Sequence, residues 1–211
     1  MNKLTMMTTI VAGVGAILNI AGCGEAATES SAKPSASPAE EMVAYGRKVN
    51  AELAKHGADP MISETEIAQI YTRPVEEYSK ELEMIRGAFP ALQRYSSCVK
   101  EINELSEKAS GRPILNKDSI SEMFENFICK SNDGRQELLD AVQSVIPQFK
   151  VYTSLIREIN DLSVKLGGNP YLNEDRAAEI FEAFIKKSSE DRQSKISEAQ
   201  DVLKRLKEVK R

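Results

Sequence analysis

The chain has no tryptophan, a single histidine, and only three cysteines, Cys23, Cys98 and Cys129, which stand far apart. Those shortages exclude several chemistries. A zinc centre draws on closely spaced Cys and His ligands, and here no cysteine lies near another or near His56. A histidine-dependent nucleophilic triad would have to be built on His56, and no Gly-x-Ser-x-Gly elbow accompanies it. No glycine-rich phosphate loop occurs either. A membrane-spanning helix needs roughly 20 apolar residues in a row. The apolar core from Ile10 to Leu18 is shorter and runs into Asn19. The formal net charge is −4, so no basic excess points to nucleic acid.

What is present begins at the N-terminus. Lys3 supplies one positive charge, the run from Ile10 to Ala21 is apolar, and Ile20-Ala21-Gly22-Cys23 ends it with small residues before a cysteine. The pattern resembles the lipobox of bacterial lipoproteins; the alternative is an ordinary secretory signal that happens to contain a cysteine. The resemblance covers only the first 23 residues and implies that 1–22 are a signal peptide, removed before Cys23. The Cys23 thiol would then carry a diacyl group and its new amino group often a further chain. Each buried methylene contributes about 0.8 kcal/mol, so two or three chains anchor stably where one holds marginally. Gly24 stands where an aspartate would typically signal retention in the inner membrane. The resemblance therefore implies the periplasmic face of the outer membrane in a two-membrane envelope, and otherwise the outer face of the cell membrane.

Residues 23–37 form a Ser/Ala/Pro-rich stretch with no large apolar side chain, which predicts a disordered tether. Flexible-chain scaling gives such a tether a reach of about 20 Å. The remainder, 38–211, is long enough for one domain with a core of its own.

That domain repeats itself. The stretch from Lys100 to Ser119 aligns without a gap with Arg157 to Arg176, and the match continues from Glu122-Met-Phe-Glu-Asn-Phe-Ile against Glu179-Ile-Phe-Glu-Ala-Phe-Ile to Arg135-Gln136 against Arg192-Gln193. A fainter copy precedes them: Val49-Asn50, Gly57, Pro60, Ile62, Ser63 and Ile70-Tyr71 match Ile159-Asn160, Gly167, Pro170, Leu172, Asn173 and Ile180-Phe181. The reading is an all-α domain of three tandem helical units of about 55 residues, near 38–89, 90–146 and 147–211, packed as a small solenoid or a bundle. Pro38, Pro90 and Pro147 are expected in the first turn of each unit's first helix, where a missing N–H costs nothing. Gly57, Gly111 and Gly167 are expected to end those helices in the left-handed conformation, with Pro60, Pro113 and Pro170 in the turns behind them.

Helical spacing then places an apolar stripe on each element. The first helices carry Leu92, Tyr95, Val99, Ile102, Leu105 and Ala109, or Tyr152, Leu155, Ile159, Leu162 and Leu166. The second helices start from the N-caps Ser63, Asn116 and Asn173, with Ser63 and Glu66 forming a capping box, and carry apolar residues such as Phe124 and Phe127. They break at Thr72-Arg73-Pro74, at Ser131 to Gly134 and at Ser188 to Asp191. The third helices carry Val75, Tyr78, Leu82 and Ile85, or Leu138, Val142 and Val145, or Ile196, Val202, Leu206 and Val209.

Candidate sites are few. Cys98 and Cys129 flank the turn at Pro113 at nearly equal distance, so a disulfide within an antiparallel hairpin, a pair of free thiols and a bridge between chains are all open readings. His56 aligns with Ala109 and Leu166 and is read as a packing residue. The carboxylate pairs Glu122/Glu125 and Glu179/Glu182 recur at matched positions, which marks a solvated face more than an asymmetric catalytic centre. Asn116 to Asp118 and Asn173 to Asp175 lack the remaining ligands of a calcium loop and are read as caps. Tyr95, Tyr152 and the Phe124/Phe127 and Phe181/Phe184 pairs are read as core. The basic end from Lys204 to Arg211 either complements the helix dipole or meets an acidic or lipid surface.

No catalytic residue, metal, cofactor or small-molecule substrate is thus identified. The expected function is that of a membrane-anchored lipoprotein whose helical repeats bind a protein partner at the envelope, in an assembly, secretion-accessory, exclusion or immunity role. An envelope hydrolase using a cleft glutamate with a raised pKa, and a passive spacer, are the alternatives.

Overall fold

A computed structural model describes residues 36–209; the lipobox, Cys23 and the tether up to residue 35 lie outside them. Among the described residues the chain forms seven α-helices and no strand. We number them α1 (Pro38–Ala54), α2 (Glu64–Ile70), α3 (Val75–Ser110), α4 (Lys117–Cys129), α5 (Asn132–Lys165), α6 (Glu174–Ile185) and α7 (Ser189–Val209). None is long and apolar enough to cross a membrane.

The local signals set most of the helix ends. Ser37 and Glu40 close a capping box ahead of Pro38 at the start of α1, and Ser63 and Glu66 close another at α2. Asn116 and Asn173 cap α4 and α6 by accepting from Ser119 N at 2.8 Å and Arg176 N at 2.9 Å. Gly57, Gly111 and Gly167 turn the chain with φ of 66°, 85° and 83°, a region that costs a Cβ-bearing residue about 1 kcal/mol or more. The second breaks are folded by buried arginines. Arg135 donates through Nη1 to Ile128 O at 3.0 Å, and Arg192 to Lys187 O at 2.6 Å.

Two boundaries differ from the sequence expectation. Pro90 and Pro147 do not begin helices; each lies inside one, so the expected unit boundaries at 90 and 147 fall in mid-helix. The third helix of one expected unit and the first of the next are fused into α3 and again into α5. An interior proline forfeits one i→i−4 bond and crowds a carbonyl, a cost of about 3 kcal/mol. Here Pro90, Pro147 and the residues whose carbonyls lose a donor, Arg86 and Gln143, are all exposed, so water can serve those carbonyls. Against that cost stands an unbroken buried stripe: Leu82, Ile85, Ala88, Leu92, Tyr95 and Val99 in α3, and Leu139, Val145, Phe149, Tyr152 and Ile156 in α5. At about 1.5 to 3 kcal/mol for each large side chain, continuous burial outweighs the two prolines.

The longer helices pack in chain order, α1 on α3, α3 on α5 and α5 on α7, and the short ones lie over the joints. Helix α4 touches α1, α3 and α5; α6 touches α3, α5 and α7; α2 rests on α1. Buried side chains form one cluster around Phe124 and Phe127 and a second around Phe181 and Phe184. Leu115, Val142 and Ile146 pack against both, so the core is continuous. Three expected stripe residues sit outside it: Val75 is 42 %, Leu166 38 % and Val209 74 % exposed, each at or beyond a helix end.

Candidate functional site

The most regular feature of the domain is a side-chain clamp across each turn. Asn50 donates through Nδ2 to Ile62 O at 2.6 Å and accepts from Ile62 N at 3.1 Å. Asn103 does the same to Leu115 O at 3.0 Å and from Leu115 N at 2.9 Å. Asn160 repeats it with Leu172, at 3.2 and 2.9 Å. An asparagine amide offers a donor and an acceptor side by side, which matches the C=O and N–H of a single residue. Each clamp fixes the residue just before an N-cap onto the preceding helix, and so sets where the short helix starts. The sequence aligned these asparagines but gave them no role.

Behind each of the last two clamps lies an aromatic stack. Tyr95 and Phe127 stack with centroids 4.5 Å apart at 22°, and Tyr152 and Phe184 at 4.4 Å and 7°. Burial pushes the hydroxyls of Tyr95 and Tyr152 up to about 12. The first turn has no such stack. Met42 and Pro74 stand there in place of Tyr152 and Phe184, and Tyr71, aligned with the fully buried Phe181, is 59 % exposed.

Successive turns are also tied to each other. Lys117, at the start of α4, pairs with Asp59 of the first turn at 3.5 Å, and Asp175, in α6, pairs with Arg112 of the second at 2.8 Å. The partners exchange sign from one joint to the next. These exposed pairs contribute little stability individually, but they align the turns along one edge. Beside the second pair runs an open groove of about 640 Å³ that reaches Lys108, Arg157, Asp161 and Glu174. A second cavity, of about 560 Å³, lies between α5, α6 and α7 and is lined by residues including Tyr152, Tyr171, Phe184 and Lys195.

The residues singled out from sequence fall as follows. Cys98 is a buried and Cys129 a half-buried free thiol. Cys98 is turned towards Gln143 of α5, and burial pushes both thiols up. His56 packs edge-on against Phe124 at 5.5 Å, with Nε2 and Ser96 Oγ 2.9 Å apart, and burial lowers its pKa. Glu122, Glu179 and Glu182 are exposed and Glu125 is half-buried; Lys186 pairs with Glu182 at 2.6 Å. In the basic C-terminal stretch, Lys207 pairs with Glu158 at 2.8 Å, while Lys210 and Arg211 lie outside the described residues. No group of three or more metal-binding side chains comes together among the described residues.

One charged residue escaped the sequence reading. Glu81, 3 % exposed on α3, has Arg73 Nη2 at 3.8 Å from one oxygen and no hydrogen-bond partner for the other. Burial raises its pKa. A carboxylate with a raised native pKa favours folding while it is protonated. That contribution is complete below the ordinary glutamate range and is lost as pH rises through the native pKa. Glu81→Leu is therefore expected to stabilise the fold at pH 8 by about 1 to 2 kcal/mol, and by less at pH 5. Denaturant titrations of both forms across that range check it; equal pH slopes would contradict it.

No family model, curated protein sequence or solved structure matches the chain.

Proposed function

We propose that the chain is a lipid-anchored protein of the bacterial envelope, held through Cys23, whose helical array binds a protein partner. The observation that carries this reading is the asparagine clamp, made with the same geometry at three successive turns. It supports three tandem units built on one plan and stacked as a short solenoid, each sharing a long helix with the next. Stacks of this kind present extended surfaces suited to protein partners. Here the aligned turns form one edge of such a surface, and the tether lets it work close to the membrane. With Gly24 after the anchor, the periplasmic face of the outer membrane is the favoured setting in a two-membrane envelope, and the outer face of the cell membrane in any other.

The hydrolase alternative needs a carboxylate with a raised pKa in a cleft. Glu81 has the raised pKa, but it is buried in the helix packing and lines neither cavity described above.

Photo-crosslinking in cells tests the binding reading, with the probe placed in turn at exposed sites such as Lys108, Arg157 and Asp161 along the turn edge. A single stoichiometric protein adduct from this edge, and none from exposed sites away from it, is the expected result. A chain that yields no stoichiometric adduct from any site is a spacer.

A further inference from the structure

We propose that the cavity between α5, α6 and α7 binds an anionic amphiphile: an acyl chain ending in a carboxylate or phosphate. The inference is independent of the lipid anchor and of the protein partner, because it rests only on residues that wall this cavity.

At about 560 Å³ the cavity falls in the usual range of small-molecule sites, roughly 300 to 1,000 Å³. Ile156, Ile159, Phe184 and Val202 give it apolar walls. Arg176, Lys187 and Lys195 line it as well, against one carboxylate, Glu198. Three cations against one anion run counter to a chain whose net charge is −4. Lys195 pairs with Glu198 at 2.6 Å, whereas Arg176 and Lys187 make no ion pair among the described residues. Beside apolar walls, where water is partly excluded, such charges attract an anion more strongly than they would in open solvent.

The shape matches the chemistry. Arg176, Ile180 and Ala183 fall at helical spacing on one face of α6, and Lys187, just past the end of that helix, lines the cavity with them. A cation therefore stands beyond each end of the apolar strip formed by Ile180 and Ala183. An extended acyl chain can lie along that strip with its head at either end.

Of these charges the preceding unit keeps only one, Lys130 in the place of Lys187. Ile114 stands for Tyr171, Ser119 for Arg176, Leu138 for Lys195 and Ala141 for Glu198. Ile114 and Leu138 are half-buried and pack onto the core. In the third unit, Tyr171 is instead 52 % exposed and Lys195 replaces the leucine. Lys195 thus enters where the apolar filling is withdrawn, and Arg176 stands where the preceding unit has the uncharged Ser119.

Calorimetry on the full chain carrying Cys23→Ser, which has no covalent acyl chain to compete, tests the site with dodecanoate and with dodecyltrimethylammonium. Saturable one-to-one binding of dodecanoate is expected, with the cationic amphiphile weaker by about tenfold or more, since a charge-assisted contact of the usual strength is lost. Lys195→Glu should weaken dodecanoate by a similar factor. Ala183→Phe should abolish binding by filling the strip; Ala183 is exposed, so the ring displaces no core residue, and unchanged thermal melting checks the fold. The proposal is overturned if dodecanoate fails to bind, if both variants bind it as the parent does, or if the cationic amphiphile binds equally well. Sedimentation with phosphatidylglycerol against phosphatidylcholine vesicles separates the sources. Capture by the anionic vesicles that Ala183→Phe removes identifies a membrane lipid as the ligand, and its absence alongside dodecanoate binding identifies a free amphiphile.

Discussion

Phe184→Ala is expected to destabilise the domain by about 3 to 5 kcal/mol, the usual loss when a fully buried phenylalanine is truncated and the space is not refilled. Phe184 is 2 % exposed, stacks on Tyr152 at 4.4 Å and approaches Phe149 at 5.9 Å. Removing it takes a ring from the centre of the second buried cluster and enlarges the neighbouring cavity, with nothing larger at hand to collapse into the gap. Domains of this size hold about 5 to 15 kcal/mol in all, so the loss is a large share of the total. Phe127→Ala should behave alike, because Phe127 is fully buried and stacks on Tyr95 at 4.5 Å. Guanidinium unfolding followed by circular dichroism checks both. A loss below about 1 kcal/mol at either position would contradict the buried stacks.

Asn103→Ala should cost about 2 to 3 kcal/mol although it removes little apolar surface. The clamp provides two hydrogen bonds, each with a net value of about 0.5 to 1.5 kcal/mol. Its loss also leaves the N–H and C=O of the half-buried Leu115 without partners. Asn103→Asp separates the two halves: a carboxylate still accepts from Leu115 N–H but cannot donate to its C=O, and its charge opposes that carbonyl. Both variants should therefore be weakened, yet only alanine should release the Leu115 amide to rapid hydrogen exchange. If Leu115 keeps its protection in Asn103→Ala, the clamp does not set the turn.

Much of the local framework was legible from the chain. The capping residues Ser63, Asn116 and Asn173, the left-handed glycines and the breaks between short and long helices all follow from chemistry confined to a few neighbours. The fused helices were not read correctly, because proline was given its usual meaning at Pro90 and Pro147. The apolar period in fact runs straight through both, and continuity of that period was the better guide. The clamp was half visible. Val49-Asn50, Ile102-Asn103 and Ile159-Asn160 recur in register, but the partner peptide lies across a turn, where spacing along the chain says nothing of orientation. Glu81 had no signal at all. It sits between ordinary stripe residues, and only the packing of other helices buries it. The cavity between α5, α6 and α7 is lined where the sequence departs from its own earlier stretch, at Tyr171, Arg176, Lys195 and Glu198, so the matching positions carry no sign of it.

The central claim is that this helical array is held at a membrane through Cys23, and fractionation of cells expressing the full chain or Cys23→Ser, with intact mass measured on each, tests it most directly. The parent should sediment with membranes at the mass of a chain beginning at Cys23 plus its acyl groups. Cys23→Ser should carry no acyl mass and be lost from the acylated membrane pool. A Cys23→Ser protein that remains membrane-bound and acylated would contradict the claim.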